Sequence, residues 1–208
     1  YVAQATSVPG VAQRTGTTLY YLEFYPRAQI PQGATPVLAL SPFPGQVDLV
    51  VASELMEAGR ALQRGLVHPE RTTLVTSTHR VYAMTEKMAM ADGRVDEDQL
   101  LAGARSAAQQ LVAHNFLALA ERAQAPIGPA LLGAVAASGR LPFTRAQFEA
   151  AIERSGIGVQ ASLRAFAAAH DAVQNTSTEQ VQATTPPQPG PRLAALVARM
   201  QRELEVAA

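Results

Sequence analysis

The clearest pattern of hydrophobic and polar positions predicts a strand, a helix and a second strand in succession. Asp48–Ala52 is a short, almost continuously apolar run, as expected for a strand that is buried on both faces. Thr72–Ser77 is rich in β-branched residues and predicts the second strand. Between the two runs, apolar residues recur at helical spacing, at Leu55, Ala58, Leu62 and Leu66. Such a crossover implies that the two strands are parallel neighbours.

Signals for both ends of this helix surround its apolar positions. Ser53 is predicted to be the N-cap, with Glu54 and Glu57 in the first turn, where the helix dipole favours acidic residues. Gly65 marks the end of the helix. We therefore assign the two glutamates to helix capping, and not to a catalytic pair of carboxylates.

The segment before this unit is predicted to hold two strands after a turn-rich start. Tyr1–Gly10 is interpreted as turns because Pro9 and Gly10 punctuate it. Thr17–Tyr25 is β-branched and aromatic, and predicts a strand that Pro26 ends. Val37–Leu40 predicts a shorter strand between loops that are rich in proline and glycine.

The rest of the chain is predicted to be mainly helical. Asp96 and Gln99 have the spacing of a capping box at the start of a long helix, Glu97–Ala123, which ends before Pro126. The side chains that this helix is expected to bury are Leu101, Ala104, Ala108, Leu111, Val112, Asn115 and Leu119. Shorter helices are predicted at Pro129–Ser138, Thr144–Glu153 and Val159–Val173, followed by a linker at residues 175–191 and a terminal helix at residues 192–206.

These elements predict an α/β fold, a three-layer sandwich with a mostly parallel sheet, followed by a helical C-terminal region. We divide the chain into an α/β part at residues 1–95, a helical part at residues 96–174 that packs on the same domain, and a linker with a terminal helix at residues 175–208.

Composition removes several classes of function. The 208 residues contain no cysteine, which excludes disulfides, thiolate zinc sites, cysteine nucleophiles and cysteine-ligated iron–sulfur clusters within them. Lys and Arg together number 17, as do Asp and Glu, so no net field attracts nucleic acid. The sequence has no apolar run of about eighteen residues, so we predict no membrane span and expect a cytoplasmic location. A neutral surface also favours association with a partner.

Ser77, Thr78, His79 and Arg80 occupy the place in the sequence where a ligand site is most expected. They end or follow a predicted parallel strand, and parallel sheets bind ligands at the carboxyl ends of their strands. The other three histidines are interpreted as structural or surface residues, and because no two histidines have the spacing of ligands on one helix face, we predict no metal site. No G-x-S-x-G motif occurs, which argues against a serine hydrolase.

A second candidate lies in the loop from Ser7 to Thr18. Gln13, Arg14, Thr15 and Gly16 stand just before the predicted strand, and a further glycine lies at position 10. A guanidinium between flexible glycines can bind a carboxylate or a phosphate through two hydrogen bonds. The alternative is that this arginine pairs within the chain.

Three segments of the sequence resemble the gamma-type domain of 2-oxoacid:ferredoxin oxidoreductases. Ser7–Gly16 with the following strand is similar to that family's Gln-Arg loop, and Asp48–Ala58 is similar to its strand-to-helix segment. Thr76–Tyr82, together with Glu86 and Lys87, is similar to the branch known as indolepyruvate oxidoreductase subunit beta. The resemblance extends over about residues 1–173.

The resemblance implies a role within a larger enzyme. In this family, thiamine pyrophosphate attacks the carbonyl of the 2-oxoacid, carbon dioxide leaves, electrons pass through iron–sulfur clusters to ferredoxin, and an acyl-CoA forms. Thiamine pyrophosphate, Mg²⁺ and the 4Fe–4S clusters are expected on a partner alpha subunit or domain, with none bound by this chain alone. Gln13–Gly16 and Ser77–Arg80 are the candidates that would face the 2-oxoacid and CoA or lie at the interface with the partner. A homo-oligomer is compatible with the resemblance.

The sequence departs from the family pattern at its start. The family domain opens with a strand and a glycine-rich turn into a helix, and this sequence begins after them. Two other readings stay open from the sequence. One is an α/β module that serves assembly alone, and the other is an independent small-molecule enzyme that uses Ser77–Arg80.

Overall fold

The computed structural model describes residues 1–9, 18–81 and 96–176. Its strands are β1 (Val2–Pro9), β2 (Thr18–Tyr25), β3 (Leu49–Ala52), β4 (Thr73–Ser77) and β5 (Gln110–His114). Its helices are α1 (Leu55–Gln63), α2 (Glu97–Ala107), α3 (Phe116–Arg122), α4 (Ile127–Ser138), α5 (Arg145–Ser155) and α6 (Val159–Asn175), with a 3₁₀ turn at Arg27–Gln29. The predicted linker and terminal helix lie outside the described residues.

A parallel sheet in the order β3–β4–β5 forms the centre of the fold. The predicted crossover is confirmed, because β3 pairs in parallel with β4 and α1 connects them. Every residue of β4 is buried, and its side chains alternate between the two faces. Leu74 belongs to an apolar cluster with residues of α1 and α2, whereas Val75 belongs to another with residues of α3–α6. Helices cover both faces of the sheet, which confirms the predicted α/β sandwich.

The third strand, β5, lies where the sequence predicts the middle of a long helix. The prediction of one helix over Glu97–Ala123 is wrong, since the chain forms α2, then β5, then α3. The backbone becomes extended at Ala108. The strand β5 then pairs in parallel with β4, from Thr73↔Gln110 to Ser77↔His114. Pairing with a buried neighbour outweighs local helical spacing here.

Val2–Pro9 forms a strand, so the prediction of a turn-rich segment there is wrong. β1 pairs with β2 in antiparallel register from Val2↔Tyr25 to Pro9↔Thr18. The predicted strand at Thr17–Tyr25 is confirmed over Thr18–Tyr25, and Thr17 lies outside the described residues. Alternation in β1 is hidden in the sequence because its outward positions are the small residues Ala3, Ala5 and Ser7.

The sequence predicts a strand at Val37–Leu40, and this prediction is wrong. Its backbone groups bond to side chains of the hairpin instead of to a neighbouring strand. The N–H of Ala39 donates to the Glu23 carboxylate at 2.6 Å, and its carbonyl accepts from Gln4 Nε2 at 2.8 Å. The Thr6 hydroxyl donates to the carbonyl of Leu40 at 2.8 Å. This segment therefore covers one face of the hairpin.

The covered face of the hairpin also carries Tyr21. Burial is the largest cause that raises the pKa of its phenol, and the negative charges of Glu23 and Asp48 raise it further. Both causes disfavour the phenolate, so this side chain stays protonated at neutral pH.

The helices α4, α5 and α6 follow the predicted positions closely. Thr144 caps α5 in a capping box with Gln147, and Gly156 and Gly158 flank the turn into α6. Arg140 donates to the Asp48 carboxylate at 3.2 Å and to the carbonyl of Arg71 at 2.9 Å, which ties the end of α4 to the amino end of the sheet. None of the described helices is both long and apolar enough to cross a membrane.

Candidate functional site

The three parallel strands end at one edge of the sheet, at Ala52, Ser77 and His114. The residues that follow the strands begin α1, lead to Val81 and begin α3. Ser77, Thr78, His79 and Arg80 therefore lie at the carboxyl edge of the sheet, where the sequence places them. We call this region the carboxyl edge.

Ser77 and His79 form the most specific contact at the carboxyl edge. Ser77 is fully buried, and its Oγ lies 2.7 Å from Nδ1 of His79. The same oxygen accepts the backbone N–H of Phe116 at 3.1 Å. A hydroxyl that is engaged twice and shielded from solvent is not an accessible nucleophile, so Ser77 serves to hold its neighbours in place.

Glu54 joins α1 to the segment after β4. Its carboxylate caps α1 by accepting the N–H groups of Met56 and Glu57 at 2.9 and 3.1 Å. It also accepts the N–H of Val81 at 3.3 Å, across 27 positions of sequence. The prediction that Ser53 is the N-cap is therefore wrong, because Glu54 occupies that position and Ser53 is exposed. The carboxylate satisfies the helix terminus, which leaves no anion site there.

Backbone hydrogen bonds fix the strand-end segment on both sides. The N–H of Thr78 donates to the carbonyl of His114 at 2.9 Å, and the carbonyl of His79 accepts the N–H of Leu55 at 3.2 Å. Thr78, His79 and Arg80 are each half-buried. The segment is thus held between the ends of β3 and β5 with its side chains partly open to solvent.

The other predicted site residues, Gln13, Arg14, Thr15 and Gly16, lie outside the described residues. The structure places only the two ends of their segment, since Pro9 and Thr18 are paired neighbours. That these residues face the substrate, CoA or the partner stays a prediction.

His114 and Asn115 belong to the carboxyl edge but were missed by the sequence reasoning. Nε2 of His114 lies 2.9 Å from the hydroxyl of Thr176, at the end of α6. Asn115 caps α3 by accepting the N–H of Ala118 at 3.0 Å. The available signal was the dipeptide His-Asn directly after the apolar run Leu-Val-Ala, which is how a strand ends before a capped helix.

Potential metal ligands are dispersed in the part of the chain that the structure describes. Within residues 1–9, 18–81 and 96–176, no three His, Cys, Asp or Glu side chains come together as a metal site would require. These described residues do not fit a metal ion or a cluster. At the carboxyl edge, His79 offers a ring nitrogen for hydrogen bonding.

Comparison with known proteins decides the family. The family profile described as pyruvate ferredoxin/flavodoxin oxidoreductase matches residues 1–172. The chain belongs to this family. Neither a curated protein nor a solved structure shows significant similarity to it.

Membership of the pyruvate ferredoxin/flavodoxin oxidoreductase family confirms the coarser part of the resemblance. The match covers the hairpin, the parallel sheet and the helices up to residue 172 within α6. The chain is therefore part of an oxidoreductase of this family, which acts on 2-oxoacids and has ferredoxin-type partners.

Glu54 offers a direct stability test of the carboxyl edge. We expect Glu54→Ala to lower the free energy of unfolding by about 2 kcal/mol, because a buried cap and the tie to Val81 are lost together. Asp96→Ala is the matched control, since Asp96 caps α2 in the same way but is exposed and, among the described residues, bonds only within its own helix. It should cost about 1 kcal/mol. Urea denaturation measures both, and equal losses would contradict the second role of Glu54.

Proposed function

We propose that this chain is a subunit or domain of a thiamine-dependent 2-oxoacid:ferredoxin oxidoreductase. The enzyme would oxidise an aryl pyruvate such as indolepyruvate, release carbon dioxide, form the acyl-CoA and pass the electrons to ferredoxin. The observation that carries this proposal is the family match over residues 1–172. The choice of indolepyruvate is supported by the resemblance of Thr76–Tyr82 to that branch of the family.

The thiamine pyrophosphate, Mg²⁺ and 4Fe–4S clusters of the enzyme would lie on a partner alpha subunit or domain. Two observations support this division. The 208 residues contain no cysteine to ligate a cluster, and the described residues bring no three metal-ligating side chains together. We therefore expect the purified chain to have no oxidoreductase activity by itself.

The contribution of this chain to the reaction would be made at the carboxyl edge. His79 and Arg80 are half-buried there and present a donor and a positive charge, both suited to an anionic 2-oxoacid or to the phosphates of CoA. Gln13 and Arg14 would add to this site from their loop. The residues of this chain would thus bind and orient a substrate whose chemistry takes place on the partner.

Arg14 tests the proposed role of the loop. We expect Arg14→Ala to lower kcat/KM of the assembled enzyme at least about tenfold, because a charge-assisted hydrogen bond to the substrate is lost. Arg64→Ala removes the same charge from an exposed position beyond the end of α1 and should leave kcat/KM unchanged. The measurement is dye reduction at varied 2-oxoacid and CoA concentrations. Equal values for Arg14→Ala and wild type would remove this residue from the site.

The open face of the β1–β2 hairpin is the surface that we assign to the partner. The side chains on this face are Ala3, Ala5, Ser7, Tyr20, Leu22 and Phe24. The exposed fractions are 72% for Tyr20 and 56% for Leu22, whereas an antiparallel sheet that faces water normally alternates to polar residues. The face carries no charge, as is typical of the centre of an interface. Its proposed occupant is the thiamine- and cluster-bearing chain.

An assembly module without a substrate site is the second candidate function. The exposed apolar hairpin face is as consistent with this candidate as with the first, because such a face binds a partner and takes no part in a reaction. The two candidates differ at the carboxyl edge. Substitutions at His79 or Arg14 change the kinetics if the chain meets the substrate, and leave them unchanged if the chain only assembles.

A further inference from the structure

The hydroxyl of Ser77 restricts how its neighbours are protonated. It accepts the N–H of Phe116 at 3.1 Å and lies 2.7 Å from Nδ1 of His79. A serine hydroxyl has a single proton to donate. Among the described residues, Nδ1 of His79 is the only acceptor within hydrogen-bonding distance of this hydroxyl. If Ser77 donates to Nδ1 and accepts from Phe116, the Ser77 hydroxyl, Nδ1 of His79 and the N–H of Phe116 each have a hydrogen-bond partner.

This arrangement determines the tautomer of His79. If Nδ1 accepts a hydrogen bond, the neutral imidazole carries its proton on Nε2. In the described part of the chain, Nε2 of His79 has no hydrogen-bond partner. Among the described residues, the Nε2–H of His79 is thus a donor without a partner at the carboxyl edge, on a ring that is half-buried.

The ring of His79 is held on a rigid support. Its own carbonyl accepts from Leu55, the preceding residue donates to His114, and the segment is closed by the bond from Val81 to Glu54. A donor that is fixed before binding loses little entropy when a ligand arrives. This preorganisation distinguishes His79 from a histidine on a free loop.

We infer that Ser77 is a positioning residue that sets the tautomer of His79, and that His79 donates its Nε2–H to an anionic oxygen of a substrate. The acceptor is a carboxylate oxygen of the 2-oxoacid or a phosphate oxygen of CoA. The substrate half of this inference rests on the proposed function, whereas the tautomer half rests on the geometry of this chain alone.

The tautomer is tested by nuclear magnetic resonance on the full chain with isotope-labelled histidine. Long-range proton–nitrogen correlations distinguish the two tautomers, and loss of signals in His79→Gln assigns this residue among the four histidines. We expect the neutral imidazole to carry its proton on Nε2 in the wild type, and a mixture of tautomers in Ser77→Ala. A proton on Nδ1 in the wild type would overturn the inference. Because the wild-type spectrum decides this point, failure of Ser77→Ala to fold would not leave it open.

The donor role is tested by kinetics of the assembled enzyme. His79→Phe removes the donor and should raise KM about tenfold for one substrate, with a smaller change in kcat. His79→Gln keeps an N–H near the position of Nε2 and should restore most of the affinity. His68→Phe is the matched control, because His68 precedes β4 at the opposite end of the sheet. A rise in KM for the 2-oxoacid assigns the carboxylate, and a rise for CoA assigns the phosphate.

Failure of this inference is distinguishable from failure of the proposed function. If His79→Phe and His79→Gln behave like wild type in an active complex, His79 does not bind substrate, while the assignment of the chain to the oxidoreductase stands. If the wild-type complex shows no activity with any 2-oxoacid, the proposed function and the substrate half fall together. The spectrum of His79 still decides the tautomer half.

Discussion

Gly133→Ala is expected to lower the free energy of unfolding by about 3 kcal/mol or more. A Cβ at this position would overlap the backbone oxygen of Phe166 and lie 3.0 Å from its carbonyl carbon. Gly133 lies within α4 and Phe166 within α6, so the added atom meets backbone of a neighbouring helix. No rotation of a side chain relieves this contact, and the two helices have to separate.

Gly103→Ala is the control for this substitution. Gly103 lies in the middle of α2, and a Cβ there would have no neighbouring atom within 4 Å. Because alanine is a better helix former than glycine, this variant should be more stable by up to about 1 kcal/mol. Urea denaturation compares both variants with the wild type. A Gly133→Ala variant as stable as the wild type would contradict the close packing of α4 against α6.

Leu22→Glu is expected to abolish association with the partner while leaving the chain folded. Leu22 lies in the centre of the open hairpin face between Tyr20 and Phe24. A carboxylate buried there without a partner costs several kcal/mol, so we expect the complex to weaken at least about a hundredfold. The free chain should unfold within about 2 °C of the wild type, since the substitution is at its surface.

Ile157→Glu is the matched control for the hairpin face. Ile157 is 82% exposed in the turn between α5 and α6, so the two variants introduce the same charge at an exposed apolar position. Isolation of each tagged variant from the native host, followed by size-exclusion chromatography, measures the association. Retention of the partner by Leu22→Glu would exclude this face as the interface. Loss of self-association alone would show that the face joins two copies of this chain.

The sequence predicts the fold best where local signals agree. The crossover from β3 to β4 is one such case, because an apolar run, acidic residues at the helix start and Gly65 all point to it. The helices α4, α5 and α6 are similar, since Gly139 follows α4, Thr144 caps α5 and Gly158 precedes α6. In these segments the local sequence pattern is sufficient to predict the secondary structure.

β1 and β5 could not be predicted because their pairing is not local. In β1 the outward residues are small, so the alternation of strands does not appear in hydrophobicity. In β5 the residues Leu111 and Val112 also satisfy a helical repeat, and only the presence of β4 alongside makes the strand favourable. The residues of β5 themselves do not indicate that β4 lies beside them.

The sequence predicts the position of Ser77 and His79 at the end of the strand, but not the contacts that they make. The rule that parallel sheets bind ligands at the carboxyl ends of strands located Ser77 and His79. The bond between these two side chains depends on the turn after β4, and the tie from Glu54 to Val81 depends on two segments that lie 27 positions apart. Neither contact leaves a pattern in the sequence.

The central claim is that this chain works as part of a 2-oxoacid:ferredoxin oxidoreductase. The most direct test is the reduction of a viologen dye, dependent on 2-oxoacid and CoA, by the material that co-purifies with the tagged chain from its native host. We expect activity with indolepyruvate or another aryl 2-oxoacid, and none from the chain expressed alone. Isolation of a single chain with no partner and no thiamine-dependent activity would contradict the claim.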